Sequence, residues 1–124
     1  LHFLRENDRV AAQKEALKKG DVEAFFAGAL ASGNSSFKYL QNVYTVKNVA
    51  EQGLSLALCL TETVTKGWGG AHRVHGGGFA GTIQAFIPND KVADYKAIID
   101  SVFGEGACAA LRIRPEGAIA VRLA

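Results

Sequence analysis

The chain has 124 residues, 48% hydrophobic and 21% charged, a composition that suits one globular domain with its own core and argues against disorder. Its 14 Lys and Arg against 12 Asp and Glu leave a formal charge of +2, with the signs interleaved, so the basic footprint of a dedicated nucleic-acid binder is missing. No apolar run reaches membrane-spanning length and the charged start LHFLREND lacks a signal-peptide core, so the expectation is a cytoplasmic protein with neither a membrane nor a nucleic-acid partner.

The predicted elements begin with helices. From about Glu6 to Lys19 the apolar residues Phe3, Val10 and Leu17 recur at sevens, Lys18 and Lys19 sit in the last turn, and Gly20 supplies a stop. Asp21 is a ready N-cap for a second helix, whose stripe Val22, Phe25, Phe26, Ala29 and Leu30 ends in the polar run SGNSS. From Val46 to Val64 the positions Val46, Val49, Ala50, Leu54, Ala57, Leu58, Leu60 and Val64 form a stripe broad enough to predict a central helix covered on most of its circumference.

The period then changes. Ala71 to His75 and Thr82 to Ile87 are short and β-branched or alternating, and Pro88 closes the second, as expected of strands. Asn89 or Asp90 can cap a further helix carrying Val92, Tyr95, Ile99, Val102 and Phe103, which Gly104 ends. Cys108 to Arg114 and Ala118 to Leu123 read as a closing hairpin around Pro115-Glu116-Gly117, with Leu111 and Ile113 on one face and Arg112 and Arg114 on the other. Helices and strands segregate, so the expected fold class is α+β with a small antiparallel sheet. The cysteines, Cys59 and Cys108, have apolar surroundings and no metal-ligand spacing, which predicts reduced, buried thiols. The chain contains no methionine and begins at a leucine, as expected of a piece of a longer protein.

Seven of the 14 glycines fall between Gly67 and Gly81, and Gly76-x-Gly78-x-x-Gly81 matches the dinucleotide-binding fingerprint letter for letter. That motif needs a helix to start at its last glycine and aim amide groups at a pyrophosphate. Here the next residues, Thr82 to Ile87, are strand-like and end at a proline. No Lys-Ser/Thr follows to make a Walker loop either. What remains is a glycine loop between two strands, either a plain connection or a nest of bare amides able to hold an anion.

The segment Arg73-Val74-His75-Gly76-Gly77-Gly78-Phe79-Ala80-Gly81 resembles the third motif of the GHMP small-molecule kinases, in particular the R-M-T-G-G-G-F-G-G of galactokinases. The resemblance extends outward in order. Glu6-Asn7 with Arg9-Val10, Ala16-Leu17, Gly20-Asp21 with Phe25, and the serines Ser32 and Ser35-Ser36 before Tyr39-Leu40 are similar to the pattern of a galactokinase C-terminal half. It departs from that pattern at Val74, His75 and Ala80, where the family has Met, Thr or Ser, and Gly.

The resemblance implies one domain over residues 1–124, a ferredoxin-like GHMP kinase C-terminal domain with helices on a four-stranded antiparallel sheet. It implies the C-terminal lobe of a kinase that moves the γ-phosphate of ATP to the C1 hydroxyl of galactose. Base, magnesium ligands and main phosphate loop belong to a separate N-terminal lobe, so ATP and Mg would be held mainly there and this domain alone would be inactive. Gly53-Leu54-Ser55-Leu56-Ala57 is only superficially similar to that main loop. The residues carried over are Gly76, Gly77, Gly78, Phe79, Ala80 and Gly81, with Arg73 and His75, as phosphate and sugar contacts; no catalytic or metal-binding residue is carried over.

Side chains around the loop have two readings each. Arg73 stabilises phosphate charge or braces the loop. His72 and His75, three apart on a strand, point to opposite faces and cannot share an ion without a bulge. His75 shares a face with Arg73 and is a sugar contact or a structural hydrogen bond. Phe79 is expected to plug the core beneath the loop, and Trp68 to anchor the end of the preceding helix or serve as a stacking platform. Arg112 and Arg114 lack the stacking aromatics of an RNA-binding sheet. The alternatives to a galactokinase are a non-catalytic sugar and nucleotide sensor of the same fold and a GHMP kinase for another small metabolite. A dinucleotide oxidoreductase would require a helix at Gly81.

Overall fold

A computed structural model describes residues 1–79 and 81–120. It is an α+β arrangement of four helices and one two-stranded antiparallel sheet, in the order α1 (His2–Lys19), α2 (Val22–Leu40), α3 (Gly53–Thr65), β1 (Ala71–His75), β2 (Thr82–Phe86), a 3-10 turn (Asn89–Lys91) and α4 (Val92–Phe103).

Local chemistry explains the α1–α2 hairpin. Gly20 adopts the left-handed conformation that ends α1, while its amide reaches the Leu17 carbonyl and that of Asp21 reaches Ala16, the paired bonds of a Schellman cap. The Asp21 carboxylate then accepts the Ala24 amide at 2.9 Å and starts α2. The two helices meet through polar groups. Ser32 donates to Glu6, the Gln13 side-chain amide donates to the Phe25 carbonyl at 3.2 Å, and the His2 Nδ1 lies 2.9 Å from the Ser35 hydroxyl.

The sheet lies between packed helices. Val74 and Ile83 face each other across the strands and pack with Val43, Tyr44, Leu54 and Leu58, the latter two from α3. Phe86 of β2 instead meets Phe25 and Phe26 of α2, with ring centroids 5.5 and 5.6 Å away and tilted or edge-on geometry that suits aromatic quadrupoles. Gly33 of α2 sits so close to β1 that a Cβ there would come within 2.8 Å of the Arg73 Cβ. Further along, Thr61 of α3 donates to the Ala57 carbonyl, so its one proton is used and Tyr95 of α4 must donate to the Thr61 hydroxyl, 2.8 Å away.

Several sequence expectations are corrected. The SGNSS run does not end α2: the helix continues to Leu40, with Ser32, Ser35 and Ser36 turned inward because each has a hydrogen-bond partner there. The expected central helix starts only at Gly53; Val46 and Val49 precede it and are exposed, as are Leu56 and Cys59 on the helix. The heptad stripe Phe3, Val10 and Leu17 also faces solvent, because α1 turns its polar side to α2. Among the described residues the sheet has two strands rather than the expected four. Among the described residues of the expected closing hairpin none is a strand and Leu111 and Ile113 are bare; its end at residues 121–123 lies outside the described residues. Cys108 is half-buried rather than fully enclosed. No helix among the described residues is long and apolar enough to cross a membrane.

Candidate functional site

His75 pairs with Thr82 at the open end of the hairpin, so residues 76–81 bridge the strand ends. Thr82 begins a strand, and the helix that a dinucleotide fingerprint requires is not there. Within the loop the backbone is left-handed at Gly76, Gly78 and Phe79, with φ of 63°, 83° and 55°. Glycine at position 78 is a steric requirement as well: a Cβ there would lie 2.0 Å from the Asn42 carbonyl oxygen.

Asn42 is the floor of the loop. Its carbonyl accepts the Phe79 amide at 2.7 Å, and its side-chain Nδ2 donates to the Gly77 carbonyl at 3.3 Å. The Ser36 hydroxyl donates to Asn42 Oδ1 at 3.0 Å. Asn42 follows Gln41, which takes a left-handed conformation at the end of α2 and returns its amide to the Phe37 carbonyl. A buried polar side chain is stable only when so partnered, and Asn42 is 3% exposed.

The loop's other side is open. Gly76, Gly77 and Gly81 are exposed, and among the described residues nothing accepts a hydrogen bond from the amides of Gly76 or Gly77. N–H groups of exposed residues beside left-handed backbone can serve as donors to an anion. Phe79 is not a core plug: the residue is 60% exposed, while its amide is turned inward onto the Asn42 carbonyl. Ala80 lies outside the described residues.

Arg73 and His75 occupy different surroundings. The Arg73 guanidinium donates to Ser32, lies 3.6 Å from the Glu6 carboxylate, and donates through Nε to the Val74 carbonyl at 3.1 Å. Those partners bind it to α1 and α2. Burial raises the Glu6 pKa, but hydrogen bonds from Ser32 and Arg9 and the charges of Arg9 and Arg73 outweigh it and hold the carboxyl below its ordinary value. His75 is exposed beside the loop, its Nδ1 3.3 Å from the Thr82 hydroxyl. His72, on the opposite strand face, lines a groove of about 190 Å³ with Leu30, Cys59 and Glu62. Burial lowers the His72 pKa, and the Glu62 charge opposes the shift. No described residue of the loop lines that groove. Trp68 continues the chain past α3, its amide on the Thr65 carbonyl and its ring under the Lys91 ammonium at 5.8 Å.

Among the described residues no group of three or more His, Cys, Asp or Glu side chains is placed to hold a metal ion. The loop amides suit the oxygens of a phosphate or a sugar. Asn42 carries no signal in the sequence, whereas Glu6, Ser32 and Ser36 stand there only as motif residues without a role; their inward setting is marked by the spacing of Ser32 and Ser36, one helical turn apart on the side of α2 that carries Ala29. No protein-family model, no curated protein and no solved structure matches the chain.

Proposed function

We propose that this chain is the C-terminal lobe of a galactokinase-like GHMP kinase, with residues 76–81 forming one wall of a cleft for a sugar and the phosphates of ATP. The observation that carries the reading is the loop itself: glycines bridging two antiparallel strands, anchored from below through Asn42 and exposed above at Gly76 and Gly77. The ordered resemblance from Glu6 to Gly81 supports the same reading. Among the described residues the sheet has two strands where the family implies four; the loop and the motif order support the reading.

Phosphoryl transfer asks a protein mainly to position its substrates and to spread stabilising charge over phosphate oxygens. In this reading Gly76 and Gly77 supply main-chain donors and His75 a side-chain contact at the loop's edge. Arg73 holds β1 in place through Glu6 and Ser32 without touching substrate. Magnesium, when bound, would supply countercharge to the phosphates from the N-terminal lobe. The test is a coupled ATP assay on the full-length protein with a panel of monosaccharides: galactose-dependent turnover is expected, and binding of galactose without turnover would instead favour a sensor of the same fold.

A further inference from the structure

We infer that Asn42 is the positioning residue of the glycine loop, setting which of its amides face the substrate. The inference rests on the proposed kinase reading for its functional consequence, but its geometry stands apart from any reaction.

Three contacts converge on this one residue. Its main-chain carbonyl takes the Phe79 amide, its side-chain nitrogen holds the Gly77 carbonyl, and its carbonyl oxygen occupies the space a Cβ at position 78 would need. Together they pull the Phe79 amide inward and fix the Gly77 carbonyl toward the protein, leaving Gly76 and Gly77 at the surface. The chemistry requires an amide side chain. The Gly77 carbonyl can only accept, so nitrogen must face it; the Ser36 hydroxyl can then donate to Oδ1. Aspartate has the same shape but would oppose a carboxylate oxygen to the Gly77 carbonyl and add negative charge beneath an anion-binding loop. Because Ser36 lies on α2 and Gln41 caps that helix, the loop's setting follows the end of α2. No other described side chain donates to residues 76–79.

The experiment compares Asn42→Asp and Ser36→Ala with a control, Thr61→Val, which disturbs a buried hydroxyl pair remote from the loop. Amide hydrogen exchange and steady-state kinetics are measured on the full-length protein. In Asn42→Asp the Phe79 amide should exchange about tenfold faster or more, with α1 amides unchanged, and KM for ATP should rise about tenfold with kcat altered less. Ser36→Ala should move the same readouts in the same direction by a smaller factor, which keeps the inference testable if Asn42→Asp fails to fold. Thr61→Val should lower Tm without moving either readout. An unchanged Phe79 amide in both loop-side variants, or the same change in the control, would overturn the role of Asn42. If exchange responds while the wild type turns over no sugar, the role stands and the kinase reading falls.

Discussion

The Glu6 carboxylate lies 3.6 Å from the Arg73 guanidinium, tying the first helix to the strand that leads into the glycine loop. Glu6 has its pKa held below the ordinary value of 4.5 by Ser32, Arg9 and Arg73 despite opposing burial. A depressed folded-state pKa contributes stability that is present above the ordinary value and lost as pH falls through the folded one. Glu6→Gln should cost about 1–3 kcal/mol at neutral pH, since it leaves Arg73 without its charge partner. It should also flatten the loss of stability below pH 4.5. Urea unfolding of both proteins across that range checks it; equal slopes would contradict the pairing.

Two neighbouring glycines should behave differently. Gly78→Ala meets the Asn42 oxygen and a left-handed backbone, and a destabilisation of at least about 2 kcal/mol is expected. Gly77 has open space around its Cα and no left-handed φ, so Gly77→Ala should change stability by less than about 0.5 kcal/mol. Thermal unfolding of the pair decides this, and a costly alanine at 77 would show that the loop is packed differently.

The strands Ala71–His75 and Thr82–Phe86 and the stops at Gly20 and Gly104 were legible because alternation and glycine chemistry are local. The inward serines of α2 were not, since polar residues are expected outside and their burial depends on Glu6, His2 and Asn42, partners distant in sequence for the first two. The same exchange of roles misplaced Phe3, Val10 and Leu17: α1 meets a polar surface, so its polar side is the inner one. The loop was legible as glycine-rich, but its anchor Asn42 was not, because nothing in a single Asn announces a carbonyl 37 residues ahead of the amide it holds.

Thr61 and Tyr95 give a test of the α3–α4 contact. Thr61→Val removes the acceptor for the enclosed Tyr95 hydroxyl, a loss expected to cost about 1–3 kcal/mol, whereas Tyr95→Phe removes the hydroxyl itself and should cost about 0.5–1.5 kcal/mol. The ordering Thr61→Val worse than Tyr95→Phe is the point; the reverse order in denaturant unfolding would place the hydroxyl in water.

His72 supplies a pH test on the other strand face. Burial lowers its pKa below 6.5 against the opposing charge of Glu62, so the unfolded chain binds the extra proton first. Its contribution to stability therefore declines as pH falls through 6.5 toward the folded value. Glu62→Gln removes the opposing charge and should lower the His72 titration further, as followed by NMR. A His72 midpoint above the ordinary value would place the ring in a different environment.

If the exposed amides of Gly76 and Gly77 hold substrate, a bulky side chain between them must disturb binding, and Gly77→Val in the full-length protein is the variant to measure. The expected result is an unchanged fold by circular dichroism and a KM for ATP or galactose raised about tenfold or more, or kcat abolished. A folded variant with wild-type kinetics would show that the loop does not touch substrate.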